Sequence, residues 1–333
     1  MSPLTPPSLL SDPPTSPAAS ASAADLVQLC EALDAVSIAR PAAIQVLSVI
    51  DDPNADAPKV ATAVEGDPAF ATQVMRLANS AFYGMSGRVS NTGFAVTVIG
   101  FSAIRSLAAV TATGLDRADR PKPEGFWFHA AATAAGCSVV APRFGLAKGD
   151  AFAAGLLHDL GVALLHGYDT TAHQALLDLH GTDGVALDAA ELEAFGMGHA
   201  AAAARVLSAW RFPETFVEAV SVHHGDPSSS ADGPIAQAVR VGDLLADAAG
   251  RVLAHRLELV AAKNAAAIAG LAPADAGEID AEIDDTPVPP PLDDDLRIAL
   301  SESLRIDDIG VLESMVDSTV LRSAEIMASL PIG

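Results

Sequence analysis

Seven residues in the middle of the chain are of types that could bind a metal: His129, the adjacent pair His158-Asp159, His199, the adjacent pair His223-His224, and Asp243. Imidazole nitrogens and carboxylate oxygens in this mixture are the usual ligands of a catalytic or structural divalent cation. Singly, each residue has a plainer explanation. His129 follows FWF and His199 follows FGMG, positions suited to packed core or helix-end histidines. His223-His224 closes ETFVEAVSV, where a histidine would be favourable beside the last helix carbonyls. His158-Asp159 could be a hydrogen-bonded structural pair. Their surroundings weigh the other way: GLLHDLGVALL is apolar on both sides of Asp159, and Asp243 lies among Val, Leu and Ala. An ionised carboxylate buried without a cationic partner is costly. The set is therefore expected to converge on one site for a divalent metal, of one or two ions. On a helix, His158 and Asp159 would diverge by about 100°, which leaves Asp159 free to bridge a second ion or orient a water.

The elements that must position these residues read as helices. Apolar residues recur at three and four positions in LVQLCEAL, IQVLSVI, VATAV and FATQVMRLA, with turn signals such as DDPNAD and EGDP between them. Asp67-Pro68 suits a helix start with Asp67 as the N-cap, and Asn79-Ser80 suits a helix end with Asn79 in a left-handed turn. Breaks are expected at PRFGLAKGD, HGTDG, RFPE and HHGDPSSSADGP. Trp127 and Trp210 are expected to be packing residues. No alternating strand pattern and no internal repeat is evident, so the fold class is all-α. The expected organisation is a disordered tail over 1–22, a helical half over 23–115, a second helical half over 116–270 with the His/Asp set, an acidic Pro-rich linker over 271–295, and a C-terminal helical segment over 296–333.

Composition bounds the function. Half of the 333 residues are hydrophobic but only 5% are aromatic, so Ala, Val and Leu must fill the core. The net charge of −23 repels a phosphate backbone and argues against direct nucleic-acid or anionic-membrane partners. Two cysteines, Cys30 and Cys137, are too few for a disulfide framework. The start MSPLTPPSLL lacks the basic and apolar regions of a signal peptide, and no run approaches the ~20 apolar residues of a membrane span. A cytoplasmic location is expected.

The order His, His-Asp, His, His-His, Asp, with GLLHDLG at its centre, resembles the HD metal-dependent phosphohydrolase superfamily. EGDPAFATQVMRLANSAFYG, VTVIGFSAIRSL, AFAAGLLHDLG, the run from ELEAFGMGH to SVHHG, and VRVGDLLAD together resemble the HDOD (HD-related output domain) family from about Val36 to Ala248. The resemblance implies a multi-helix bundle in two subdomains. It matches His129 to the first metal histidine of HD enzymes, His158 and Asp159 to the name-giving pair, and Asp243 to the final carboxylate. His199, His223 and His224 match the extra histidines of two-metal members. It also implies a signalling or regulatory module acting through protein partners.

Two departures count against hydrolysis. Val162 stands where phosphodiesterase relatives often carry a Lys, and Gly-Asp-Pro follows His223-His224 in place of a cyclic-di-GMP phosphodiesterase signature. Cations near the motifs are few: Arg143, Lys148 and Arg240. A regulatory protein with a retained metal or nucleotide pocket is expected. The alternative is a phosphohydrolase acting on a nucleotide or cyclic dinucleotide, with Asp159 as the catalytic residue. The segment 296–330 carries more apolar residues than so short a piece can bury alone, and is expected to dock on the protein's own body.

Overall fold

The computed structural model describes residues 21–36, 41–117, 119–181, 183–268 and 292–330. Most of the expected tail (1–22) and linker (271–295) lies outside these residues. The described residues contain helices and no strand. The first half holds α1 (Ala23–Val36), α2 (Pro41–Ile50), α3 (Ala57–Glu65), α4 (Pro68–Ala78), α5 (Thr92–Ile99) and α6 (Phe101–Thr113). Then come α7 (Phe126–Val140), α8 (Lys148–Leu157), α9 (Leu160–Tyr168), α10 (Thr170–His180), α11 (Gly184–Phe195), α12 (His199–Ala209), α13 (Glu214–Ser221) and the long α14 (Gly233–Ile268). Two further helices, α15 (Asp294–Leu304) and α16 (Ile309–Ser329), end the described chain.

Local chemistry sets the boundaries. Asp67 accepts hydrogen bonds from the backbone N–H groups of Ala69 and Phe70, and Asp56 accepts one from that of Lys59, each with a proline in the first turn that follows. Asn79 ends α4 differently from expectation: its backbone is right-handed (φ −89°), and its side chain bonds both the N–H and the C=O of Val89. The amide thus ties a loop to the helix end, and Gly84 (φ +67°) supplies the left-handed turn. Gly100, at φ +84°, lets α5 and α6 meet at 105°. That bent pair has a membrane-like length and composition, but no single described helix is long and apolar enough to cross a membrane.

One apolar cluster joins the halves, running from Leu29 and Leu33 of α1 through Ile104 and Leu107 of α6 to Phe152, Leu157 and Leu207. Trp127 and Trp210 are buried in it, as expected. Helix α7 is its axis, packed against α8, α14 and α16. The approach is close because the touching positions lack side chains. A β-carbon on Gly136 would lie 2.7 Å from the carbonyl oxygen of Gly242, and one on Gly155 would lie 2.7 Å from Cys137 Sγ. Likewise, a β-carbon on Gly161 would overlap the backbone carbonyl of His199, so α9 and α12 also meet backbone to backbone.

The C-terminal segment docks on the body of the chain. Leu296, Leu300, Leu304, Leu312, Val316 and Val320 form a second cluster with Val140, Val241, Leu245 and Val252. The stripe is not wholly consumed: Ile298, Ile309, Val311 and Leu321 face outward. Leu300→Ala is expected to cost about 2–5 kcal/mol by leaving a cavity, whereas Ile298→Ala at the exposed face should change stability by less than about 0.5 kcal/mol. Chemical denaturation of both variants measures this; equal effects would mean that the segment is not packed in solution.

Candidate metal centre

Each element brings its side chain to one point for a local reason. His129 lies in the first turn of α7, and Asp243 follows Gly242 on α14, so the glycine contact between those helices sets their separation. His158 and Asp159 do not sit inside a helix, as the sequence suggested. They form the break between α8 and α9, with Asp159 at φ −99° and ψ 18°. Both side chains reach the same space, with His158 Nε2 3.3 Å from Asp159 Oδ2. His199 begins α12, and His223 and His224 lie just beyond α13.

The seven side chains form two groups that share Asp159. Its Oδ2 is 3.3 Å from Nε2 of both His129 and His158, and Asp243 Oδ1 is 3.1 Å and 3.7 Å from the same two atoms. Asp159 Oδ1 is 3.2 Å from His223 Nε2 and 3.6 Å from His199 Nε2, and His199 Nε2 is 2.6 Å from His224 Nε2. Ligand atoms bound at about 2.1 Å to one ion stand roughly 3.0–3.4 Å apart, so most of these separations suit a shared cation. The donor atoms are also prepared for one. His158 Nδ1 and His223 Nδ1 bond the carbonyls of Gly155 and Val220, at 2.8 Å and 2.6 Å. In the neutral ring, the nitrogen facing a carbonyl carries the proton, which leaves each Nε2 with its lone pair directed inward. Asp159 Oδ1, Asp243 Oδ1 and His223 Nε2 are buried without a hydrogen bond. Orphaned polar atoms of this kind, all directed at one point, fit one or two divalent ions.

Two residues essential to this arrangement were not singled out from the sequence. Glu191 of α11 is fully buried and accepts hydrogen bonds from His199 Nδ1 (2.6 Å) and the His199 backbone N–H (2.7 Å). Its other oxygen accepts from Nε2 of the equally buried His173, at 2.7 Å. Glu191 sat within the quoted run ELEAFGMGH, but nothing in the run distinguishes it from the nearby Glu193. The only available signal was a glutamate eight residues before a candidate ligand.

The metal groups open on a cavity of about 320 Å³ lined by Phe126, Val162, Leu177 and Leu187 beside the ligands, with Glu124 and Asp247 in the wall. Among the described residues, no Lys or Arg lines it. Arg240 is committed elsewhere, bonding the carbonyls of Val222 and Asp226 and pairing with Asp232, while Arg143 bonds the Leu304 carbonyl. Burial works against a charged imidazole at His158, but Asp159 and Asp243 overcome it and push His158 up to about 9. The same contest leaves His129 well above its usual range and both aspartates below theirs. His224 goes the other way: burial, then the neighbouring His223 and His199, push it down to about 3. Burial and then Asp243 raise Asp247.

A match to the HDOD domain family covers residues 39–226. An uncharacterised protein of Treponema pallidum (strain Nichols) is 23% identical over 192 residues, covering 55% of this chain and 36% of that protein. The chain therefore spans about a third of the curated relative it matches. Among solved structures, a candidate phosphohydrolase of Shewanella amazonensis SB2B superposes with a TM-score of 0.61 at 21% identity, covering 92% of this chain and 98% of the other. A candidate signal transduction protein of Marinobacter aquaeolei VT8 gives 0.59 at 21% identity, covering 92% of this chain and 65% of the other. At these identities the likeness shows a shared helical fold.

The raised His158 has a measurable consequence in metal-free protein. A group whose folded pKa exceeds its unfolded value of about 6.5 contributes stability that is complete below that pH and is lost as pH rises. For His158 the loss runs through about 9. Chelator-treated protein is expected to melt at progressively lower temperature across this window, and metal-supplemented protein to resist the fall because the proton is already displaced. A metal-free melting temperature that holds or climbs across the window would contradict the assignment.

Proposed function

The chain belongs to the HDOD domain family, and from that premise we propose that it is a metal-loaded signalling protein that acts through protein partners. Two divalent ions would be held, one by His129, His158, Asp159 and Asp243, the other by Asp159, His199, His223 and His224. The observation that supports this most directly is Asp159, whose two oxygens face different histidine pairs: Oδ2 faces His129 and His158, Oδ1 faces His199 and His223. When bound, such a pair supplies positive charge that orients and polarises a phosphate or a water.

Charge favours binding over turnover. Two divalent ions bring four positive charges, and Glu124, Asp159, Asp243 and Asp247 around the cavity can bring four negative ones. Phosphoryl transfer relies on fixed cations aimed at developing negative charge, and the described residues of this wall include no Lys or Arg. Val162, where a phosphate-binding Lys would stand in phosphodiesterase relatives, contributes apolar surface to the same wall. A nucleotide ligand that reports to a partner protein in the cytoplasm is consistent with such a pocket. A hydrolase acting on a nucleotide or cyclic dinucleotide, with Asp159 at its centre, is the second reading. It is favoured by the opening of the ligand set onto a cavity, since catalytic metal sites keep an open position and structural ones are closed.

Elemental analysis of protein purified without chelator should find close to two ions per chain, and none or one in Asp159→Ala. A screen with manganese-loaded protein against a phosphodiester, a phosphomonoester and a cyclic dinucleotide should show no turnover above the Asp159→Ala background. Turnover that disappears in that variant would replace the regulatory reading with the enzymatic one.

A further inference from the structure

Behind the metal groups lies a pair of buried ionisable side chains that offers no ligand atom to the cavity. Glu191 and His173 are both fully buried, on α11 and α10. A buried carboxylate must be compensated, and Glu191 is compensated on every side. Oε2 takes the Nδ1 and backbone N–H of His199, and Oε1 takes Nε2 of His173. The nearby Asp188 accepts the Ala200 backbone N–H with Oδ1 at 3.0 Å and stands 3.6 Å from His199 Nδ1.

The two metal groups are supported differently. His158 and His223 are oriented by backbone carbonyls of the helices they follow, Gly155 and Val220. Those acceptors come with local chain geometry, three residues upstream in each case. His199 has no such acceptor, because it opens α12 rather than closing a helix, and its Nδ1 is reached only by side chains of α11. Its tautomer therefore depends on a residue from a different element.

We propose that Glu191 is a positioning residue for one of the two ions: it fixes His199 with the proton on Nδ1 and the Nε2 lone pair toward Asp159 and His224, and His173 anchors Glu191 from behind. This rests on the two-ion reading above. Glu191→Gln keeps the shape but presents an amide N–H₂ to a pocket containing only donors. The amide oxygen can serve either the two His199 donors or the His173 donor, but not all three. His199 is then held by a neutral acceptor in place of a carboxylate, or is released to carry its proton on Nε2. The ion held with His199, His223 and His224 should be weakened by about 10–100-fold, the range found when a ligand loses its orienting partner. The ion held with His129, His158 and Asp243 should be unaffected.

The test is a manganese titration of full-length wild type, Glu191→Gln and His173→Phe, followed by electron paramagnetic resonance and by elemental analysis after gel filtration. The expected result is two ions in wild type, with Glu191→Gln retaining one ion at wild-type affinity and losing the spin-coupled signal of a pair. His173→Phe should weaken the same ion to a smaller extent. Two ions of unchanged affinity in a folded Glu191→Gln would overturn the inference and leave the two-ion reading standing. No ion in wild type would overturn that reading, and this inference with it. Should the glutamine variant fail to fold, long-range ¹H–¹⁵N spectra of metal-free wild type decide, at a pH where the imidazole is neutral. A proton on His199 Nδ1 supports the role of Glu191, and one on Nε2 refutes it.

Discussion

Three helix backbones come together around the Cys137 thiol because Gly136, Gly155 and Gly242 carry no β-carbon. Helices α7, α8 and α14 pass one another at a distance that alanine would prevent, and two of the candidate ligands closely follow these glycines. Asp243 is the residue after Gly242, and His158 comes three residues after Gly155. A separation a few tenths of an ångström larger would move Asp243 and Asp159 away from the imidazoles they share. The tight core therefore fixes the geometry of the ligand set.

That core also accounts for the unusual density of buried charge. Asp159, Asp243 and Glu191 belong to one network of histidine-paired carboxylates and would be costly to bury if left alone. Each is instead matched to histidines: two shared by Asp159 Oδ2 and Asp243, two facing Asp159 Oδ1, and two on Glu191. Imidazole suits this because it donates from one nitrogen and accepts or ligates with the other. One buried group can thus face a carbonyl or carboxylate behind and a cation in front. The cavity side of the arrangement is acidic and apolar.

The C-terminal helices extend this architecture. Helix α16 lies along α7, and α15 packs on α14, so the two helices that carry His129 and Asp243 are covered on their outer side by the end of the chain. The bundle is closed by a segment distant in sequence, and the site's scaffold and the tail share one packing interface.

The sequence by itself determined the helical class, because apolar spacing of three and four needs no knowledge of neighbours. It also determined the cap at Asp67, whereas the Asp-Pro of DDPNAD does not cap the next helix, which Asp56 starts instead. The types and order of the seven candidate ligands are legible from the chain. It did not determine how they group. Asp159 offers one oxygen to each set from a helix break at His158-Asp159, whereas the apolar run around that pair reads as one continuous helix. Asn79 was likewise assigned a local role when its amide in fact ties down a loop ten residues on, a long-range bond that no local pattern encodes. Glu191 and His173 stayed hidden for the same reason: burial and partnership arise only when α10 and α11 fold against α12. Residue type and periodicity are properties of the chain, whereas tautomer, desolvation and the sharing of a carboxylate are set by distances between elements, which only the tertiary structure decides.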